Sequence, residues 1–346
     1  MNKFSISQKI FDNYYAADYF KKTRTIINKF NPDQIVTMQW FQRNTDTVVC
    51  GIAVICEILK QSGVKTLSVE ALEDGEIAQP NEPVLKITGK FIDFAHFEGL
   101  FDGILSRAST VATNAYKLKK AANQKLVLNM NDRMDYFLTQ PIDGYASTIG
   151  GIDNLVTEAS FEYLEITPDL QGTMPHALIA SFNGDIIKAA YAYKECFPNN
   201  KLIVLTDYNN DCVTDSLKVA QEFKNELFAV RIDTSKALVD KSLQNQENID
   251  NQLNGVNPQL IKLLRSKLDE NGFNHVKIIV SSGFNEEKIK AFEAEETPVD
   301  IYGVGEALTR NKIGFTGDLV MVDGKPQSKV GRQNITSNRI KSIKYY

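Results

Sequence analysis

Apolar positions follow two rhythms along this chain. In the second half, short β-branched runs alternate with stretches of helical period. "KLIVLTDY" (201–208) and "ELFAVRID" (226–233) predict buried strands, and between them Val213, Leu217, Ala220 and Leu227 recur at helical spacing. "NPQLIKLLRSKLDENG" (257–272) predicts a helix with Asn257 as N-cap, Pro258 in the first turn and Gly272 past the end. "HVKIIVSSG" (275–283) predicts a strand, and "NEEKIKAFEAEE" (285–296) a helix opened by Asn285 and two acids. "PVDIYGVGEAL" (298–308) predicts a strand running into a glycine turn. Strands and helices alternating at these lengths imply right-handed βαβ units and a parallel sheet.

The first third differs. "DQIVTMQWFQR" (33–43), "KTLSVEALEDGE" (65–76) and "EPVLKITGKF" (82–91) predict strands with helical stretches around them, and residues 93–122 predict a helix joining the two parts. The pattern is that of an α/β protein: an N-terminal α/β or α+β domain followed by a parallel β/α domain.

Composition narrows the class. A chain of 346 residues suggests about two domains. A net charge of −4 gives no broad attraction to nucleic acid or an anionic membrane. No apolar stretch approaches the ~20 residues of a membrane span, and "MNKFSISQKIFDNYY" lacks the apolar core of a signal peptide. Four cysteines without CxxC spacing indicate neither a zinc knuckle nor a disulfide framework. The expectation is a cytoplasmic protein acting on small molecules, with no nucleic-acid or membrane partner.

Candidate chemistry gathers where the strands of the second half end. Those ends deliver Thr206 and Asp207, Arg231 and Asp233, Ser281, Ser282 and Gly283, and Gly303 and Gly305. The strand "KLVLNM" (125–130) leads into Asn131, Asp132 and Arg133. In β/α barrels the carboxyl ends of the strands carry the active site, and the last two loops often hold phosphate. "SSGF" and "GVGE" are the last two such loops. Asp207 and Asp233 are hard oxygen ligands suited to Mg²⁺ or ribose hydroxyls, with helix capping as the competing reading. Arg133 and Arg231 offer forked donors for a carboxylate or diphosphate, or else surface ion pairs. His176, in "GTMPHALI" (172–179), is one of three histidines. By itself it reads as a helix-start residue.

Taken in order, "DYFKKT" (18–23), "FQRN" (41–44), "EPVLKITG" (82–89), "LSRASTVAT" (105–113), "DGYASTIGGIDN" (143–154), "GTMPHALI", "VLTD" (204–207), "VRIDT" (230–234), "VSSGF" (280–284) and "YGVGEALT" (302–309) resemble the nicotinate phosphoribosyltransferases. These are type II phosphoribosyltransferases, as are the quinolinate and nicotinamide enzymes. The resemblance runs almost from end to end. It implies an N-terminal α/β sandwich domain (1–115, completed by 325–346) and an incomplete β/α barrel (116–324). It implies formation of nicotinate mononucleotide and diphosphate from nicotinate and phosphoribosyl diphosphate, coupled to ATP hydrolysis, in NAD salvage. Ser282, Gly283, Gly303 and Gly305 would then hold the ribose 5-phosphate, with Thr173 also at the substrate. Asp233 would hold the ribose hydroxyls, Arg231 the substrate and Arg133 the nicotinate carboxylate. Asp207 and Asp233 would also be the Mg²⁺ ligands and part of the catalytic set. His176 would be transiently phosphorylated by ATP, and Tyr19 would complete the pocket of another protomer, implying a homodimer or larger even assembly.

Three departures bear on this. Met130 stands near a place where the family usually has an aromatic residue, and Asp135 or Tyr136 replaces a common histidine. These leave the preferred base open. Ala17 occupies a common aspartate position, and a cysteine-rich zinc tail is absent, so no structural metal is expected. Alternatives are a quinolinate or nicotinamide enzyme, or a non-catalytic paralogue binding a phosphorylated metabolite. The expected basic cluster of a quinolinate enzyme is not evident in the sequence.

Overall fold

The computed structural model describes residues 4–169, 172, 174–247 and 251–346. In chain order its first part contains α1 (Asp18–Phe30), β1 (Ile35–Phe41), β2 (Thr47–Val48), α2 (Ile52–Gln61), β3 (Ser68–Ala71), β4 (Ile77–Ala78), β5 (Leu85–Lys90), α3 (Phe91–Phe94) and α4 (Glu98–Ala121). The second part contains β6 (Leu126–Asn129), α5 (Gln140–Ile149), β7 (Asn154–Leu155), α6 (His176–Ser181), α7 (Ile186–Cys196), β8 (Leu202–Leu205), α8 (Cys212–Phe223), β9 (Leu227–Ile232), α9 (Pro258–Glu270), β10 (Lys277–Val280), α10 (Glu286–Ala294) and β11 (Ile301–Val304). The chain then adds β12 (Thr316–Val322), β13 (Lys325–Pro326) and β14 (Lys341–Ser342).

Two six-stranded sheets organise these elements. One, ordered β13-β12-β1-β5-β3-β14, is antiparallel throughout. The other, ordered β7-β6-β11-β10-β9-β8, is parallel throughout and ends at β7 and β8 rather than closing. This is the sandwich-plus-partial-barrel architecture, with each sheet backed by its own apolar core.

The polarity pattern explains the division. Strands β8 to β11 are short and almost wholly apolar, as strands covered on both faces must be. Asn257 caps α9 by accepting from the Leu260 N–H at 3.0 Å, and Pro258 follows it in the first turn. Leu227 is not the last turn of a helix, as its spacing suggests, but the first residue of β9. The helix stops at Phe223, and Lys224 takes a positive φ that breaks the period.

Residues 316–322 fall within the barrel segment expected over 116–324. They form strand β12, which pairs antiparallel with β1 in the first sheet. Its pairing is long-range and leaves no mark in local periodicity.

Helix α4 joins the two cores. Phe101, Leu105, Ala108, Val111 and Ala112 pack in the first core, whereas Ala115 and Leu118 pack in the second. In its middle even the polar residues are buried, so each needs a partner. Ser109 and Thr113 accept from the N–H groups of Cys50 and Val48, and Thr110 accepts from that of Ile313. "LSRASTVAT" is thus a set of hydroxyls that pins two other segments onto one helix. No helix among the described residues is long and apolar enough to cross a membrane.

Candidate active site

Strand register builds the site. In the parallel sheet Val304 stands opposite Asn129, Val280 opposite Ile232, and Arg231 opposite both Leu205 and Ile279. Their carboxyl ends therefore form one rim. A cavity of about 800 Å³ opens on it, lined by Met130, Asp132, Arg133, Met134, Arg231, Asp233, Ser281 to Glu287, Gly303, Gly305 and Glu306. The fold thus brings together Arg133, Arg231, Asp233, Ser282, Gly283, Gly303 and Gly305. Thr173 lies outside the described residues. Tyr19 does not line this cavity. It sits on α1, a helix with no buried residue, and is 64% exposed.

Asp233 is held from two sides. Ser281 Oγ donates to Asp233 Oδ1 at 2.8 Å, and Arg231 Nη2 lies 3.5 Å from Oδ2. Burial lowers the pKa of Arg231, opposed by Asp233 and Asp207, and the neighbouring charge of Arg133 lowers it further. Two guanidiniums on one cavity, beside one carboxylate, make a place suited to an anionic ligand.

His176 and Asp207 form a pair at the next strand end. His176 Nε2 lies 3.2 Å from Asp207 Oδ1. The imidazole is 45% exposed and the carboxylate only 4%. Burial raises the pKa of Asp207; His176 opposes this, while the like charge of Asp233 adds to it. The buried acid orients the ring, leaving the other nitrogen free of this bond.

The two glycine loops differ in kind. Ser282 and Gly283 both have positive φ, +77° and +69°. Among the described residues, the N–H groups of Ser282, Gly283 and Phe284 donate to no protein acceptor. A Cβ on Gly283 would meet nothing within 4 Å, so only its φ requires glycine. Gly303 and Gly305 are small for another reason. A Cβ on Gly303 would come within 2.9 Å of Met130 Sδ, and one on Gly305 within 2.8 Å of the Met130 carbonyl and 3.2 Å of the Met134 side chain. These glycines make room for the methionines that form the cavity wall.

Asp135, one of the departures, has a structural role. Arg107 of α4 grips Asp143 with Nε and Nη2 at 2.7 and 2.6 Å, and its Nη1 pairs with Asp135. A backbone bond from Tyr136 and this arginine hold the Asp135 carboxyl below its ordinary range. The loop after β6 is therefore tied to α4.

Sequence reading missed three cations. Lys117 and Arg310 line the cavity. Lys117 follows Asn114 by one helical turn on α4, a spacing that could have flagged it. Arg310 has no local signal, because Asn114 holds the segment by donating to the Leu308 and Arg310 carbonyls. Lys288 of α10 lies behind the 281–284 loop, its Nζ donating to the Ser282 carbonyl at 3.2 Å.

The sequence and the fold have known counterparts. Residues 18–109 match the family described as quinolinate phosphoribosyl transferase, N-terminal domain. The solved structure of a nicotinate-nucleotide pyrophosphorylase from Pyrococcus furiosus is 31% identical, with a TM-score of 0.81 over 96% of this chain and 82% of that one. This chain belongs to the type II phosphoribosyltransferase family. Human nicotinic acid phosphoribosyltransferase, 18% identical with a TM-score of 0.69 over 90% of this chain and 76% of that one, shares the fold. A nicotinate phosphoribosyltransferase of Mycobacterium tuberculosis is 25% identical over 277 residues, which are 78% of this chain and 55% of that protein. The chain therefore spans about half the length of that relative.

Proposed function

We propose that this chain is a nicotinate phosphoribosyltransferase that makes nicotinate mononucleotide and diphosphate from nicotinate and phosphoribosyl diphosphate, with ATP hydrolysis coupled to the reaction. The observation that carries it is one cavity lined by a paired carboxylate, two arginines and a loop whose N–H groups have no protein acceptor among the described residues. Breaking the C1–oxygen bond of the ribose generates an oxocarbenium-like centre and a diphosphate anion. In this reading Asp233 faces the ribose hydroxyls and the positive centre, fixed by Ser281. Arg231 and Arg133 hold the departing or entering anion, and the 282–284 N–H groups hold the 5-phosphate.

Asp207 and Asp233 would be the carboxylates that meet a Mg²⁺ arriving with the diphosphate. No group of three or more His, Cys, Asp or Glu among the described residues could cage a metal alone, and Mg²⁺ is commonly held by one or two carboxylates plus substrate phosphates. When bound, it would neutralise charge on the leaving group. The exposed imidazole of His176, oriented by Asp207, would take the phosphoryl group of ATP and release it to water. Exposed Tyr19 would reach the pocket of a second protomer in a symmetric dimer or larger even assembly.

A quinolinate enzyme is the second reading, favoured by the cations the sequence did not reveal. Lys117 and Arg310 join Arg133 and Arg231 on one cavity, more charge than a single carboxylate needs, although Arg310 is paired with Glu306. An assay of the purified chain with phosphoribosyl diphosphate and nicotinate, nicotinamide or quinolinate, with and without ATP, decides between the two. The main reading expects turnover with nicotinate, stimulated by ATP, and loss of that stimulation in His176→Asn while slow synthesis survives. Turnover with quinolinate alone, releasing carbon dioxide, would replace it.

A further inference from the structure

The 281–284 loop places unusual backbone on the rim. Ser282 has no glycine's freedom, yet it takes φ +77° directly before Gly283 at +69°. Something must hold it there. Lys288, one turn into α10, reaches back to the Ser282 carbonyl at 3.2 Å. Its ammonium also lies 4.3 Å from the centre of the Phe284 ring and 5.9 Å from that of Phe292. Asn285 caps the same turn by accepting from the Lys288 N–H at 2.8 Å.

We propose that Lys288 is a positioning residue for phosphate binding: its ammonium draws the Ser282 carbonyl back, turns the adjoining N–H groups toward the cavity, and places a positive charge beneath the bound phosphate. The proposal rests on the reading of this loop as the 5-phosphate site and adds to it a residue outside the cavity lining. Both parts of the role follow from one contact. A carbonyl bonded from behind cannot face an anion, and a half-buried cation near an anion is less screened than one in open water.

The surroundings give the residue a signature. Burial pulls the pKa of Lys288 down to about 8, opposed by Asp233 at the end of β9. On α10 itself, Glu286 is tied to Lys290, while Glu287 lines the cavity. Across the rim stand Arg231, beside Asp233, and the Arg310–Glu306 pair. A phosphate dianion bound above Lys288 raises its pKa, so binding takes up a proton above pH 8. Affinity is then flat between about pH 7 and 8, where the phosphate is a dianion, and falls as pH rises further, by up to tenfold per unit for one proton.

Titration calorimetry of the full chain with ribose 5-phosphate, at pH 7 and pH 9, tests this. Wild type should bind about tenfold more weakly at pH 9. Lys288→Arg keeps the charge without titrating in this range, so its affinity at pH 7 should stay within a few-fold of wild type and hardly change at pH 9. Lys288→Met should bind weakly at both values. A Lys288→Met chain that binds like wild type, or a Lys288→Arg chain with the wild-type pH dependence, overturns the role of Lys288 and leaves the phosphate site standing. A wild-type chain that binds no ribose 5-phosphate overturns the site itself, and the role with it.

Discussion

In the antiparallel sheet polar side chains sit in mid-strand; in the parallel sheet they stand at or next to the strand ends. Thr37 and Gln39 of β1 stand opposite Thr88 and Lys86 of β5 on one face. The two threonine hydroxyls bond at 2.8 Å, Gln39 bonds the Gln333 carbonyl at 2.9 Å, and Lys86 bonds Asn334 at 2.7 Å. That polar face is covered by the end of the chain, which satisfies it. Strands β8, β10 and β11 have no such face. Apart from Lys277, which opens β10, they are built of apolar residues and glycine, and Thr206, Ser281 and Gly305 follow at their carboxyl ends. A sheet covered on both faces can display chemistry only at its ends, whereas a sheet with one polar face can use polar side chains to bind its own chain. Polarity in the first sheet serves assembly, and in the second it gathers on the cavity at the rim.

The largest expected effect tests the assembly side. Trp40→Ala, at a fully buried position of β1, should cost roughly 3–5 kcal/mol in stability by denaturant melting. The folded fraction should keep its activity per molecule. A comparable loss of activity in protein that remains folded would join the two sheets functionally and break the contrast.

Asp233→Asn tests the other side. It should lower kcat/KM by roughly 10²–10³ and leave the melting temperature nearly unchanged, because Ser281 can still donate to the amide oxygen. A large stability loss with little kinetic effect would make Asp233 a structural acid.

The glycines sharpen the comparison within the rim. Gly305→Val should destabilise by about 1–3 kcal/mol, because its side chain enters the Met130–Met134 wall. Gly283→Val meets open space and suffers mainly backbone strain of about 1–2 kcal/mol, so its larger effect should be on ribose 5-phosphate affinity. Equal affinity losses in both, measured on folded protein, would show that the two loops hold phosphate alike.

The smallest expected effect concerns buried acids away from the rim. Burial raises the pKa of Glu98 to about 7, helped by Asp102 and Asp318. Burial raises that of Asp102 to about 6, and the like charge of Asp318 adds to it. A carboxyl whose folded pKa lies above its unfolded value stabilises fully below about pH 4, and that contribution is lost as pH rises through 6 to 7. Glu98→Gln should therefore raise stability at pH 8 by on the order of 1 kcal/mol after screening, with little change at pH 4. Melting curves at the two pH values check this, and no change in turnover should accompany it.

Much of the barrel is legible in the sequence. Each β/α unit declares itself locally, through a short apolar run followed by a capped helix, and a parallel strand's end is where its apolar run ends. That is why Asp207, Arg231, Asp233 and Ser282 stand out as rim residues from the order of residues alone. Strand β12 is not legible, because its pairing with β1 joins residues nearly 300 positions apart in sequence. Lys117, Lys288 and Arg310 escape notice for a related reason. Each lies on a helix or turn whose orientation toward the rim depends on packing.

The sequence by itself determined the order of elements, the polar residue at each strand end, and the motif set that marks the family. These depend on local sterics, capping and apolar period, which act within a few residues. Only the tertiary structure decided that His176 meets Asp207, that Ser281 braces Asp233, and that Gly303 and Gly305 are small to admit Met130 and Met134. Those contacts depend on strand register and on which side of a helix faces inward. Both are set by the burial of distant apolar faces against one another, a global balance that no short stretch of residues contains.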